Sequence, residues 1–166
     1  SNRRLGIDLG PAGVTANDNL DADTGPNGLQ NYPVISSVVG NQAFGSLHST
    51  PNSSFRVEFF SNTARDASGF GQGQTYLGFL NVTTDASGDA PFTFTAPSSL
   101  VTLFVSATAT SSLGSTSEFG NAVVGIPTPT PQVIPILTPP KVPQPIPTPI
   151  PDENDPPHIG GHTDEA

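Results

Sequence analysis

The chain has no cysteine, no methionine and no tryptophan in its 166 residues, and 5 Lys and Arg face 14 Asp and Glu. Without cysteine there is neither a disulfide framework nor a thiolate nucleophile. The formal net charge of −9 repels phosphate backbones and anionic lipid surfaces, so nucleic acid is not an expected partner. No apolar run approaches the roughly 18 residues a bilayer span needs, which argues against membrane insertion. Charged residues make up only 11% of the chain and histidines number 3. No G-x-S-x-G elbow and no phosphate-cradling glycine loop before a helix is present, and His48 has no sequence neighbour that nominates it as a base. A non-catalytic role is therefore expected. Ser1 opens the chain with no start methionine and no signal-peptide pattern, which reads as a mature or trimmed chain.

What is abundant is Ser, Thr, Gly, Asn and Pro, a composition that suits an exported β-protein. Short alternating apolar runs bounded by Gly, Asn, Asp and Pro recur along the chain, and helical periodicity is almost absent. Strands are expected at residues 31–39, 42–47, 55–60, 75–83, 91–95, 101–110 and 117–124. They imply an all-β domain, an antiparallel sandwich of about seven strands. Phe92 and Phe94 share one strand face, as do Leu103, Val105, Ala107 and Ala109, so these residues are expected in the core. The runs Asp85-Ala86-Ser87-Gly88-Asp89 and Ser111-Ser112-Leu113-Gly114-Ser115 carry the glycine that positive-φ turns require. Between Asn62 and Gln74 lies a glycine-rich connection, read as a self-packed loop whose Phe70 tucks back onto the domain, with a ligand loop as the alternative. The organisation expected is an extended N-terminal segment over 1–30, the sandwich over 31–125, a proline-rich strap over 126–151 and an acidic end over 152–166.

Three local patterns carry chemistry. Asp18, Asp21 and Asp23, interleaved with Asn17 and Asn19, form the oxygen-rich, flexible arrangement that suits a structural Ca²⁺. The glycine arrives at Gly25, one residue later than in an EF-hand loop, and Gln30 stands where a bidentate Glu would close the site. An Asx-rich turn whose side chains bond the local backbone is the competing reading. His158 and His162 with Asp164 and Glu165 form a weak metal pattern that reads better as a solvated acidic terminus. Asn52-Ser53-Ser54 and Asn81-Val82-Thr83 match the N-glycosylation sequon, and Thr128, Thr130, Thr138 and Thr148 stand beside prolines as in O-glycosylated stalks.

The strap reads IPTPTPQVIPILTPPKVPQPIPTPIP. Proline fixes φ and removes a donor, so the segment belongs in polyproline II geometry. Extended, it would span roughly 75 to 80 Å, well beyond one small β-domain, so it is expected to lie on another molecule. Val133, Ile134, Ile136, Leu137, Val142, Ile146 and Ile150 are its candidate anchors. It could lie along neighbouring sandwiches, or its VIPIL portion could add to an exposed sheet edge. An N-terminal strand carrying Leu5, Ile7 and Leu9 is expected to offer a second edge that needs a partner.

The stretches LGIDLGPAGVTANDNLDADTGPNGLQNYPVI, FRVEFFSN, GFGQGQTYLGFLNVTTDASGDAPFTF and ATATSSLGSTSEFG together resemble the C-terminal region of large secreted bacterial proteins. In those proteins a right-handed parallel β-helix runs into an immunoglobulin-like β-sandwich. The resemblance covers about residues 5–120 and is most specific over 6–33. It implies an immunoglobulin-like fold and a surface or extracellular location, without an assigned reaction. Of the β-helix only GIDLG remains, and the strap has no counterpart. The function expected is that of an extracellular structural subunit, polymerised with copies of itself into a filament or surface fibre. The alternative is a terminal adhesion module, with glycan as a candidate ligand and the strap as a spacer toward the cell wall. That alternative is weakened by the lack of Trp and by phenylalanines expected mostly to point inward.

Overall fold

Each of the seven expected segments forms a strand in the computed structural model, which describes residues 5–10 and 12–131. The strands are β1 (Val34–Val39), β2 (Gln42–His48), β3 (Ser54–Asn62), β4 (Thr75–Thr83), β5 (Asp89–Thr95), β6 (Phe104–Ser111) and β7 (Val123–Val124). They form two antiparallel sheets, one ordered β1-β2-β5 and the other β4-β3-β6-β7. The chain is an all-β sandwich. No helix among the described residues is long and apolar enough to cross a membrane.

The core follows from period-two alternation. Ile35, Val38, Ala43, Leu47, Ala90, Phe92 and Phe94 of the first sheet face Phe55, Val57, Phe59, Val105, Ala107 and Ala109 of the second. Phe59 is the largest fully buried side chain. Its ring stacks on Phe94 at 4.1 Å and meets Phe92 edge-on at 5.4 Å. The small neighbour Ala107, directly across from Phe59 on β6, leaves room for that cluster. Leu103, expected on the same face, is only half-buried because it precedes β6.

Three strands, β1, β6 and β7, start three or more residues later than expected, each for a hydrogen-bonding reason. β1 starts at Val34 because Asn31 and Tyr32 donate their N–H groups to Asp21 and Asn17 side chains (2.8 and 2.9 Å) instead of to a strand. β6 starts at Phe104 because a turn bonds Leu103 N–H to Leu100 O, with Thr102 in the left-handed region at φ 69°. β7 shrinks to two residues because the ladder upstream is broken. Ser117 and Gly120 still donate their N–H groups to Ala109 O and Ala107 O, but Ala109 N–H goes to Ser117 Oγ, Ala122 N–H to Gly69 O, and the Asn121 side chain brackets Ile35 of β1 from both sides.

The N-terminal strand is a larger correction. Residues 5–10 form bends rather than a strand, Leu5, Ile7 and Leu9 are half-buried, and the Leu9 N–H is held by the Glu118 carboxylate at 2.8 Å. The exposed edge expected there is absent among the described residues. Phe70 packs edge-on against Tyr32 at 5.5 Å, so the glycine-rich connection closes on the domain as a self-packed loop.

The turn glycines behave as their positions require, with Gly88 at φ 83° and Gly114 at φ 87°. In the first of these turns the Asp85 carboxylate accepts the N–H groups of Asp89 and Ser87 at 3.0 and 2.8 Å. Those bonds hold its pKa below the usual aspartate value. The unfolded chain titrates near the ordinary value of about 3.9, so the stabilisation is complete above that pH and is lost as pH falls through the lower folded-state value. Asp85→Asn is expected to flatten the acid limb of the stability-against-pH curve. An unchanged limb in urea titrations at descending pH would rule this out.

Candidate cation site and the outer aromatic face

The segment before β1 folds around its own carboxylates. Asp18 Oδ2 accepts the N–H groups of Ala22 and Asp23 at 3.0 and 3.1 Å. Asp21 Oδ1 accepts Asn31 N–H at 2.8 Å, and its Oδ2 accepts the Ser49 hydroxyl at 2.9 Å. These bonds bend the loop tightly enough that Leu20 and Asp21 both take left-handed φ near 60°. Asn31 completes the frame by accepting Asp18 N–H and donating to the carbonyls of Asp18 and His48. The Asx-turn bonds expected from the sequence are therefore present, and they tie the loop to β1 and to the β2–β3 connection.

The same bonds gather the three carboxylates. Ligand atoms of Asp18, Asp21 and Asp23 lie within 4.8 Å of one another. Asp18 Oδ1 and Asp23 Oδ1 are buried and have no hydrogen-bond partner. Burial, then the charges of Asp18 and Asp21, raise the pKa of Asp23 from the ordinary aspartate value. A cavity of about 240 Å³ opens beside Asp21 and Asp23. Gln30 is buried with its amide donating to Asn31 O and Ser49 Oγ, so it supports the frame.

Two further features escaped the sequence reading. Glu118 is buried and accepts Leu9 N–H, Thr15 N–H and the Thr15 hydroxyl at 2.8, 2.9 and 3.1 Å, clamping the N-terminal segment to the sandwich. His48 lies opposite Asp89 in the β2–β5 register, with Nδ1 2.8 Å from the carboxylate. Its Nε2 faces Asn19 and the Leu20 N–H at 3.4 Å, and no hydroxyl nucleophile bonds to it. The pair acts as a strut under the acidic loop.

The second sheet carries aromatics on its outer face, correcting the expectation that phenylalanines mostly point inward. Tyr76 and Phe79 are 51% and 44% exposed. Arg56 lies over the Phe79 ring at 3.5 Å, donates to Tyr76 OH and pairs with Glu58 at 2.9 Å. Phe60 meets Tyr76 and Phe119 edge-on at 5.7 and 5.3 Å. A bulge opposite Phe59 and Phe60 causes this: Phe59 pairs with Gly78 and Phe60 with Tyr76, leaving Leu77 as the extra residue.

Of the other candidates, Thr128 and Thr130 are exposed, as are Asn52 and Asn81 of the sequons. Val133, Ile134, Ile136, Leu137, Thr138, Val142, Ile146, Thr148 and Ile150 lie outside the described residues, as do His158, His162, Asp164 and Glu165. Comparison with protein-family models and with curated proteins found no match for this chain.

Proposed function

We propose that this chain is a non-catalytic, extracellular structural subunit that assembles with copies of itself into a filament or surface fibre. The observation that carries this reading is the edge formed by β4. It ends its sheet, runs nine residues as TYLGFLNVT without a charge or a proline, and pairs on its far side with no strand among the described residues. The other sheet margins are guarded. β5 carries Asp89 and Pro91, the β1 edge is bridged by Ile126 and Asn121, and β7 has only two residues. An uncharged edge of this length invites strand addition. The VIPIL portion of a neighbour's strap is the occupant we assign, and its Pro135 is tolerable on an edge. Tail onto the next sandwich is a head-to-tail contact, which propagates into an open filament.

The order β1-β2-β5 facing β4-β3-β6-β7 also supports the immunoglobulin-like assignment. It follows if the strands are lettered A, B, C, C′, E, F and G, although the disulfide and tryptophan common in such domains are missing. That topology and the exported composition support a bacterial surface or secreted setting.

Electron microscopy of the full chain is expected to show fibres. A chain ending at Pro131, and the double variant Tyr76→Lys/Phe79→Lys that charges the β4 margin, should both lose them. Absence of fibres from the full chain, or their persistence in both altered chains, would overturn the reading.

A second reading, an adhesion module with the strap as a spacer, is favoured by the exposed Tyr76 and Phe79 beside Arg56 and Glu58. Aromatic rings with neighbouring hydrogen-bonding groups are the chemistry that holds sugars. Arg56 covers one face of Phe79, however, so the free aromatic surface is smaller than a dedicated platform would offer.

A further inference from the structure

We propose that Asp18, Asp21 and Asp23 bind one Ca²⁺, which locks the N-terminal segment onto the sandwich. Two independent observations carry this. The ligand atoms of the three side chains lie within 4.8 Å of one another, a spread that lets them share one centre at the roughly 2.4 Å typical of calcium–oxygen bonds. Separately, Asp18 Oδ1 and Asp23 Oδ1 are fully buried and accept no hydrogen bond, the most costly state for a carboxylate oxygen unless a cation lies against it. No Lys or Arg among the described residues pairs with any of the three.

The surrounding bonds are arranged for that ligand. Asp18 Oδ2 and both oxygens of Asp21 accept from Ala22, Asp23, Asn31 and Ser49. Those bonds fix the Asp18 and Asp21 carboxylates in place and leave Asp18 Oδ1 and the Asp23 carboxylate as the uncommitted acceptors, while each Asp21 oxygen keeps a second lone pair. An all-oxygen donor set selects a hard cation over zinc or copper. The irregular loop, with only three carboxylates converging, suits the flexible sphere of Ca²⁺ better than the strict octahedron of Mg²⁺, and the neighbouring cavity leaves room for water ligands. Asp21 holds Asn31 at the entry to β1 and Ser49 after β2. A cation on these carboxylates therefore braces the junction between the N-terminal segment and the first sheet.

The test is calorimetric titration of CaCl₂ into the chelator-treated full chain, with thermal melts in CaCl₂, in MgCl₂ and in EDTA at matched ionic strength. One site with half-saturation at about 10⁻⁴ to 10⁻³ M is expected. A rise in Tm of roughly 5 °C at tenfold excess should accompany it, with a much smaller rise in MgCl₂. Asp23→Asn should weaken binding at least about tenfold, and Asp85→Asn, which alters an acidic turn outside the cluster, should leave it unchanged. No binding heat and no melting shift up to 10 times that range would overturn the proposal. So would equal responses to Mg²⁺ and Ca²⁺, or an Asp23→Asn protein that binds as the parent does. If Asp23→Asn does not fold, Asp18→Asn takes its place with the same expected loss.

Discussion

Glu118→Ala is expected to destabilise the protein by about 2 to 4 kcal/mol and to release the N-terminal segment from the sandwich. The Glu118 carboxylate is buried and accepts three hydrogen bonds, two of them from the backbone N–H groups of Leu9 and Thr15. Hydrogen bonds to a charged group contribute about 1.5 to 3 kcal/mol each when net of solvation, and buried donors left unpaired add their own penalty. The sum is discounted because all three bonds are only partly buried and the freed segment can hydrate. Glu118→Gln keeps one acceptor and turns the other toward Thr15 as a donor, so about half the loss is expected. Urea denaturation measures the stability, and limited proteolysis measures the release, with new cleavage expected before residue 30. If Glu118→Ala melts with the parent and stays uncut, the clamp is not what holds the segment.

A loss of similar or greater size is expected in the core. Phe59→Ala should cost about 3 to 5 kcal/mol, the range for truncating a large buried aromatic. This ring is fully buried, stacked on Phe94 and edge-on to Phe92, so the cavity would open between both sheets. Phe79→Ala, of the same chemistry but 44% exposed on the outer face, should cost less than about 1 kcal/mol. The contrast is read from the urea midpoints at constant m. Equal losses at the two positions would mean that the assignment of inner and outer faces on β3 and β4 is wrong.

That assignment shows what a reader of the sequence can and cannot reach. Phe92 and Phe94 declare their shared face because the strand period is two, and Asp18, Asp21 and Asp23 declare a cluster because they lie within six residues. Tyr76 does not declare its face. Counting back by twos from Leu80 through Gly78 would turn it inward, and the extra residue Leu77 turns it out beside Phe60. Only Gly78, in the left-handed half of backbone space at φ 142°, hints at the bulge. Glu118 was illegible for a different reason. Its partners Leu9 and Thr15 are 109 and 103 residues away, and nothing local distinguishes a clamping carboxylate from a solvated one. The His48–Asp89 strut likewise exists only because the β2–β5 register sets those residues opposite each other. Short-range chemistry and strand parity survive in one dimension, whereas pairings set by register and chain crossing do not.

The unguarded β4 margin makes self-association the claim on which the functional account stands, and sedimentation velocity of the full chain over about a hundredfold concentration range tests it most directly. The account expects a mass that climbs with concentration well beyond the 17.1 kDa of one chain, and that falls back when the chain ends at Pro131. A single species of one chain's mass at every concentration would contradict it.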